Sequence, residues 1–216
     1  MALIRSAFQD ELDGVSQSLV DLTNMVSESI VKASKSLLSA DLNLAEDVIA
    51  TDVRIDDFQH ELDARIIDII ARQQPVASDL RALITALRMS ADLERMGDLA
   101  HHVAKIVRLR HPEPAVPDAV VHLVEAMGVA AEKIATKTGV VISTRDTVMA
   151  AQVEKDDDEM DLLHRQLISA LIAPSWEHGV ETAIDLTLLG RYYERYADHA
   201  VSVSRRVIFL VTGKFA

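Results

Sequence analysis

The side chains best suited to chemistry in this sequence are two pairs of carboxylates with the spacing Glu-x-x-x-Asp. Glu94 and Asp98 form the first pair, and Glu194 and Asp198 form the second. On a helix, residues four positions apart lie on one face, so each pair would set two negative charges side by side. A cation relieves that repulsion, and paired carboxylates suit hard or borderline divalent metals. We therefore predict these four residues as metal ligands.

The second pair repeats the first because the two halves of the chain are related. Between positions 48 and 107, 14 of 60 residues are identical to the residue 100 positions later. Packing of the preceding helix against the carboxylate helix would bring further acids close to each pair. The possible additional metal ligands are Asp56 and Asp57, their counterparts Asp156 and Asp157, and His101, which has no histidine counterpart in the second half.

A metal-carboxylate enzyme is the alternative interpretation of the same residues. Asp-x-x-His spacings occur at Asp57, Asp98 and Asp161, and they resemble the Glu-x-x-His motifs of di-iron helical bundles. No strict Glu-x-x-His occurs in the sequence. A di-metal oxidase is therefore the weaker alternative to a metal-binding protein without catalysis.

Long helices must position these residues. Stretches rich in Ala, Leu, Val, Ile and acids are interrupted at Pro75, at Pro174 and in the proline-rich run 111–117. Softer breaks with Ser or Asp as helix caps fall near residues 40 and 145. These breaks predict helices at about 4–39, 42–73, 76–110, 117–143, 146–173 and 180–211.

The repeat predicts an all-α fold of two tandem three-helix bundles. We expect the first bundle over residues 1–111, a Pro-rich linker over 112–116, and the second bundle over 117–216. Placed end to end, the two bundles would make an elongated molecule. One continuous six-helix bundle is the alternative.

The third helix of the first unit predicts where its carboxylates lie. Its early apolar residues share a stripe with Glu94, Asp98 and His101, so we expect the carboxylates to continue a stripe that begins in the core. The stripe consists of Leu80, Leu83, Ile84, Leu87 and Ala91. The later apolar residues lie on the opposite side and should be buried there. They are Leu93, Met96, Ala100, Val103 and Val107.

Composition excludes several classes of function. The chain has 216 residues, no cysteine, 4% aromatic residues and a net charge of -12. Without cysteine there is no disulfide scaffold, cysteine-ligated zinc finger, iron–sulfur site or thiol nucleophile, and the negative charge argues against nucleic-acid binding. The sequence has neither an apolar stretch of about 20 residues nor a secretory signal at its start, so we expect a cytoplasmic protein.

The complete pattern resembles the PhoU family of phosphate-transport accessory proteins, and it is similar to actinobacterial members. The resemblance covers nearly the whole chain. It is carried by the tandem three-helix pattern, by the two Glu-x-x-x-Asp motifs, and by the segments 74–81, 91–98 and 189–200.

The resemblance implies a regulator that acts by contact and is not an enzyme. Members of this family are cytoplasmic and usually dimeric, and they reach the membrane only through partners. They link the ATPase subunit of the ABC phosphate transporter to a sensor histidine kinase, and they repress the phosphate-starvation response when phosphate is ample. In some members the Glu-x-x-x-Asp motifs carry multinuclear iron or zinc, so the resemblance assigns that role to Glu94, Asp98, Glu194 and Asp198.

Overall fold

Six α-helices and no strand make up the part of the chain that the computed structural model describes, which is the backbone of residues 2–214 and the side chains of residues 8–214. The helices are α1 Ala2–Ser39, α2 Leu42–Gln73, α3 Ala77–Arg110, α4 Asp118–Thr144, α5 Thr147–Leu171 and α6 Gly179–Thr212. All six predicted helices are present, and their predicted ends are within a few residues of those observed. No helix in this part of the chain is long and apolar enough to cross a membrane.

The helix ends form where short polar residues and prolines predict them. The Asp41 carboxylate accepts a bond from the backbone N–H of Leu44 and starts α2, and Asp146 caps α5 in the same way. Gln74 adopts a left-handed backbone conformation and ends α2 just before Pro75.

The two three-helix units lie side by side, not end to end as the sequence suggested. Helices α1, α3, α4 and α6 form the centre, with α1 against α4 and α3 against α6. Helix α2 covers α1 and α3, and α5 covers α4 and α6. Buried apolar residues from all six helices form one continuous core. The boundaries 1–111, 112–116 and 117–216 remain a prediction.

Small residues allow the central helices to approach closely. A Cβ placed on Gly128 of α4 would lie 3.0 Å from the Ser34 side chain of α1, so a larger residue there would force the helices apart. Gly139 faces Thr23 further along the same pair of helices. Because residue numbers rise along α4 as they fall along α1, the two helices run antiparallel.

Two tyrosines of α6 connect the second unit to the first. Tyr193 and Tyr196 are fully buried. The Tyr193 hydroxyl lies 2.7 Å from Ser34 Oγ, and the Tyr196 hydroxyl donates to the backbone carbonyl of Val26 at 3.2 Å. These tyrosines therefore pack between the units.

Of the stripe predicted along the first half of α3, Leu83 is buried and Leu87 is half-buried, but the prediction is wrong for the other three residues. Leu80 and Ile84 are 37% and 40% exposed, and Ala91 is exposed as well. Helix α3 turns one face to the core throughout, through residues such as Leu83 and Met89, so the side that carries the carboxylates faces outward from its start. The later residues are buried as predicted. They are Leu93, Met96, Ala100, Val103 and Val107.

A polar cluster also joins α3 to α6. Asp92 accepts bonds from Ser202 Oγ at 3.0 Å and Arg206 Nε at 2.8 Å, and it lies 3.0 Å from His199 Nδ1. Burial alone would raise the pKa of Asp92, but the bonds from His199, Arg206 and Ser202 outweigh burial and hold the pKa below its ordinary value. The ionised carboxylate therefore stabilises the contact between units.

Replacing Asp92 with Ala should lower the free energy of unfolding by about 2 kcal/mol at pH 7, because Arg206 would lose its partner at a site mostly shielded from water. The loss should shrink as the pH falls through the lowered pKa of Asp92, because protonation removes the same interaction from the parent protein. Urea unfolding at pH 7 and pH 3 measures both effects. The exposed Asp10→Ala is the control, with a change below about 0.5 kcal/mol. Equal losses for both variants would contradict the assignment.

Candidate functional site

The first acidic cluster lies where α2 packs against α3. Helix α3 contributes Glu94 and Asp98, and α2 contributes Asp52 and Asp56. Burial raises the pKa of Glu94, and repulsion from Asp98 and Asp56 raises it further. The pKa of Asp56 is raised in the same way by burial and then by Asp52 and Asp98. Four carboxylates thus share one negative environment.

The second acidic cluster occupies the same place between α5 and α6. Helix α6 contributes Glu194 and Asp198, and α5 contributes Asp157 and Asp161. Burial and then repulsion from Asp161, Asp198, Glu194 and Asp158 raise the pKa of Asp157 to about 7. The raised pKa of Asp157 therefore reflects both the burial of this carboxylate and its repulsion by the other acids of the cluster.

The middle helices correspond at an offset of 101 residues and not at the 100 that the sequence match suggests. Asp56 and Asp157 hold equivalent positions in their clusters, and buried Ile66 corresponds to buried Leu167. One residue corresponds to about 100° of rotation around a helix, so residues aligned at an offset of 100 do not occupy equivalent positions on α2 and α5. Asp57 is therefore exposed on the outer side of α2, and Asp156 is buried beside α4.

Asp156 has a structural partner of its own. Lys137 Nζ donates to its Oδ2, and Lys133 Nζ lies 3.3 Å from its Oδ1. Burial alone would raise the pKa of Asp156, but Lys137 and Lys133 lower it below its ordinary value. This carboxylate therefore joins α5 to α4, and the second cluster uses its neighbour Asp157.

His101 extends the first cluster by one helical turn. Its Nδ1 is hydrogen-bonded to Asp52 Oδ2, which leaves Nε2 buried without a partner among the described residues. Asp52 Oδ1, Asp56 Oδ1 and Asp157 Oδ1 are likewise buried and unpartnered in this part of the chain. Unsatisfied buried acceptors are costly and mark positions where a cation or ordered water would find ligands.

Asp52 and Asp161 were not among the predicted ligands, although the sequence carries a signal for both. Asp52 precedes Asp56 by four residues, and Asp161 follows Asp157 by four residues. Each middle helix therefore repeats the carboxylate spacing of the third helix. At the offset of 101, Asp52 corresponds to Val153 and Asp161 to His60, so each unit adds its second middle-helix acid at a position that the repeat does not share.

One carboxylate of each predicted pair already has a basic partner. In the first cluster Arg95 bonds to Asp98, and in the second Arg191 bonds to Glu194. Both ion pairs are between residues three positions apart on an exposed helix face. Glu94 and Asp198 are thus the members of the two pairs that have no such arginine in the described residues.

The donor set fits a divalent cation, but the side chains are not gathered around one point. No three His, Asp or Glu side chains within residues 8–214 form a ready-made metal site. Carboxylates, an imidazole and several unpartnered buried acceptors are nevertheless the ligands that such cations prefer. Side-chain rotations would be needed to bring them together. Metal binding by the predicted residues stays a prediction.

A cleft of about 350 Å³ opens beside the second cluster. Its lining includes the acids Asp157, Asp158 and Asp198 and the arginines Arg205 and Arg206. Both arginines have partners, because Arg205 pairs with Glu154 and Arg206 belongs to the cluster around Asp92. The cleft therefore gives the second cluster access to solvent.

Asp157→Asn should raise the free energy of unfolding of chelator-treated protein by about 1 kcal/mol at pH 8, a value reduced for the solvent that reaches this half-buried side chain. The folded protein binds a proton at Asp157 near pH 7 and the unfolded chain near pH 4. Stability of the parent protein should therefore fall as the pH rises between those values. Urea unfolding at pH 4 and pH 8 measures the difference. Asp158→Asn is the control, and equal gains at both pH values would contradict the assignment.

The chain is similar to known proteins over nearly its whole length. A family model described as "PhoU domain" matches residues 19–107 and 124–207, one match in each three-helix unit. The chain is 43% identical to "Phosphate-specific transport system accessory protein PhoU homolog 2" of Mycobacterium tuberculosis, over 98% of this chain and 100% of that protein. It is 42% identical to PhoU homolog 1 of Mycobacterium leprae, over 98% and 96% of the two chains.

Two crystal structures have the same fold. The phosphate transport system regulatory protein PhoU from Streptococcus pneumoniae superposes with a TM-score of 0.87 and 26% identity, covering 97% of this chain and 99% of that one. PhoU from Pseudomonas aeruginosa gives a TM-score of 0.86 and 27% identity, covering 96% and 100%. The all-α fold of two tandem three-helix bundles is thereby confirmed.

Proposed function

The chain belongs to the PhoU family, and from that membership we propose that it is an accessory protein of a phosphate-specific transport system that regulates by contact and not by catalysis. The observation that carries the proposal is the extent of the match. Both three-helix units match the family, and the named relatives align over nearly their full length. Similarity of this extent includes both three-helix units, whereas one shared motif would support only one site.

In its finer form, the proposal is that the chain links the ATPase subunit of an ATP-binding-cassette phosphate transporter to a sensor histidine kinase. It would keep the phosphate-starvation response off when phosphate is ample. Such a homodimeric adaptor would work in the cytoplasm and approach the membrane only through these partners. The net charge of -12 supports protein partners over nucleic acid.

The acidic clusters would serve this adaptor as cation sites, with iron or zinc as the metals that the resemblance suggests. Asp52, Asp56, Glu94 and Asp98 would hold a cation in the first unit. A bound cation supplies positive charge that neutralises repelling carboxylates and connects the middle helix to the third helix. The metal would thereby fix the surface that the partners recognise.

The di-metal oxidase remains the alternative, and it makes a separate prediction. An oxidase consumes oxygen catalytically when the purified protein is given ferrous iron. The adaptor proposal expects no consumption above that of ferrous iron with the Glu94→Gln/Asp98→Asn/Glu194→Gln/Asp198→Asn variant. Repeated turnover that depends on these four residues would replace the proposal.

Binding to purified partners tests the adaptor directly. The ATPase subunit of the phosphate transporter and the cytoplasmic part of the phosphate sensor kinase, both from the source organism, are each immobilised and titrated with this protein in biolayer interferometry. Saturable binding to both is the expected result. The ATPase subunit of an unrelated transporter is the control. If the protein fails to bind even one of the two partners, both with and without zinc or ferrous iron, the proposal is overturned.

A further inference from the structure

An apolar cleft with a basic rim lies between the start of α3 and the end of α6. Its volume is about 420 Å³. We call it the basic groove and define it by three apolar residues of the floor and three arginines of the rim. They are Leu80, Ile84 and Phe209 in the floor, and Arg81, Arg88 and Arg206 at the rim.

The apolar residues in the floor of the basic groove are exposed to solvent and are not part of the buried core. Leu80 and Ile84 are 37% and 40% exposed, and Val76, which immediately precedes α3, is 74% exposed. Leu80 and Ile84 are four residues apart on α3, so they lie on the same face of the helix one turn apart. From Leu80 to Arg88 the groove follows α3 for about 12 Å, which is the length of about two helical turns. Contiguous apolar surface of this kind marks interaction sites.

The rim carries positive charge that carboxylates of the described residues neutralise only at Arg206. Arg206 is bonded to Asp92 on the inner side of the groove. The Arg81 guanidinium lies 5.6 Å from the centre of the Phe209 ring. Within residues 8–214, neither Arg81 nor Arg88 pairs with a carboxylate. These two unpaired arginines give the groove a local positive charge, although the chain as a whole has a net charge of -12.

Comparison with the second unit shows which features of the basic groove belong to both repeats and which belong to the first unit alone. At the same positions of the second unit, Val180 and Ile184 are also apolar and are 77% and 54% exposed. Arg81, however, corresponds to Glu181 and Arg88 to Leu188. Glu181 is itself paired with Arg110 of α3 at 2.7 Å. The basic rim is therefore not part of the shared architecture, and only the first unit presents it.

We propose that the basic groove binds an amphipathic helix of a partner protein, one whose apolar face is flanked by Asp or Glu. An apolar groove that follows α3 for about two turns, beside the end of α6, fits a helix laid into it. Arginine at the rim can pair two oxygens of a carboxylate at once, and it is enriched at protein interfaces. A partner of this kind satisfies the apolar floor and the unpaired arginines together.

The charges of the molecule favour a partner helix over a second copy of the chain and over an anionic membrane. A second copy of the chain would offer the exposed apolar residues Val180 and Ile184, but Glu181 beside them is already neutralised by Arg110. An anionic membrane would be repelled by the net charge of the whole chain. A separate acidic helix meets neither obstacle.

The inference rests on the proposed function, because the partners in question are the transporter ATPase subunit and the sensor kinase. The test compares the parent protein with Arg81→Glu/Arg88→Glu in biolayer interferometry against each purified partner. Arg54→Glu/Arg65→Glu is the matched control, because both arginines are exposed on α2 and the charge changes by the same amount. Thermal unfolding of all three proteins checks that both pairs of substitutions leave the fold intact.

The groove variant should bind at least one of the two partners about tenfold or more weakly than the parent, while the control binds as the parent does. The parent affinity for that partner should also fall with added salt more steeply than that of the groove variant. If the parent binds and the groove variant binds both partners equally well, the groove assignment is wrong and the adaptor function stands. If the parent binds neither partner, both proposals fail.

The other occupants are measured with the same two variants. Sedimentation velocity reports whether Arg81→Glu/Arg88→Glu dissociates an oligomer, and flotation with phosphatidylglycerol vesicles reports whether it abolishes membrane binding. We expect no difference from the parent in either experiment. Loss of self-association or of vesicle binding in the groove variant would overturn the assignment to a partner helix.

Discussion

Tyr196→Ala is expected to lower the free energy of unfolding by about 4 kcal/mol, the range measured for large aromatic residues deleted from protein cores. The ring is fully buried, and its hydroxyl donates to the carbonyl of Val26 on α1. Truncation would remove apolar contacts, leave a cavity between the two units and leave that carbonyl without its added donor. Urea unfolding monitored by circular dichroism measures the loss.

Tyr192→Ala is the matched control on the same helix. Tyr192 is only partly buried and stacks near His102, with 5.1 Å between ring centres. We expect it to cost about 1 kcal/mol or less. Nearly equal effects of the two substitutions would contradict the side-by-side packing of the units, because Tyr196 is buried only when α1 and α6 share one core.

Removal of the carboxylate pairs is expected to abolish stabilisation by metal. With a cation at about 100 times its dissociation constant, each occupied site should stabilise the parent protein by about 2.7 kcal/mol. Glu94→Gln/Asp98→Asn should lose the contribution of the first cluster, and Glu194→Gln/Asp198→Asn that of the second. Without metal, each variant should be slightly more stable than the parent, because the substitutions remove repulsion between carboxylates.

Thermal unfolding with and without zinc or ferrous iron, together with elemental analysis, measures this effect. The control is Asp57→Asn/Glu61→Gln, which removes an exposed carboxylate pair of the same spacing on α2. This control should keep the full stabilisation by metal. If all three double variants respond to metal as the parent does, the predicted clusters do not bind it. If only the control loses the response, the site involves the exposed side of α2.

Much of the fold follows from the sequence because local rules determine it. Pro75 and the caps Asp41 and Asp146 set helix ends through backbone hydrogen bonding, and each effect is confined to one turn. Apolar spacing showed that Leu93 and Met96 would be buried. Spacing alone does not say which helix covers a given face. The antiparallel packing of α1 on α4 and of α3 on α6 therefore could not be predicted.

The candidate site shows the same division between local and tertiary information. The pairs around Glu94 and Glu194 follow from helical periodicity. Which α2 and α5 acids join them depends on how those helices are rotated against α3 and α6, and a one-residue shift in correspondence decides between Asp156 and Asp157. That rotation is set by core packing along the entire helix.

The most direct measurement of the central claim is expression of a phosphate-starvation reporter in cells that lack this gene and any paralogue. At ample phosphate, the deletion strain should express the reporter at the level of starved cells. Reintroducing the parent gene should restore repression. A reporter that stays repressed at ample phosphate in the deletion strain, and rises normally on starvation, would contradict the account.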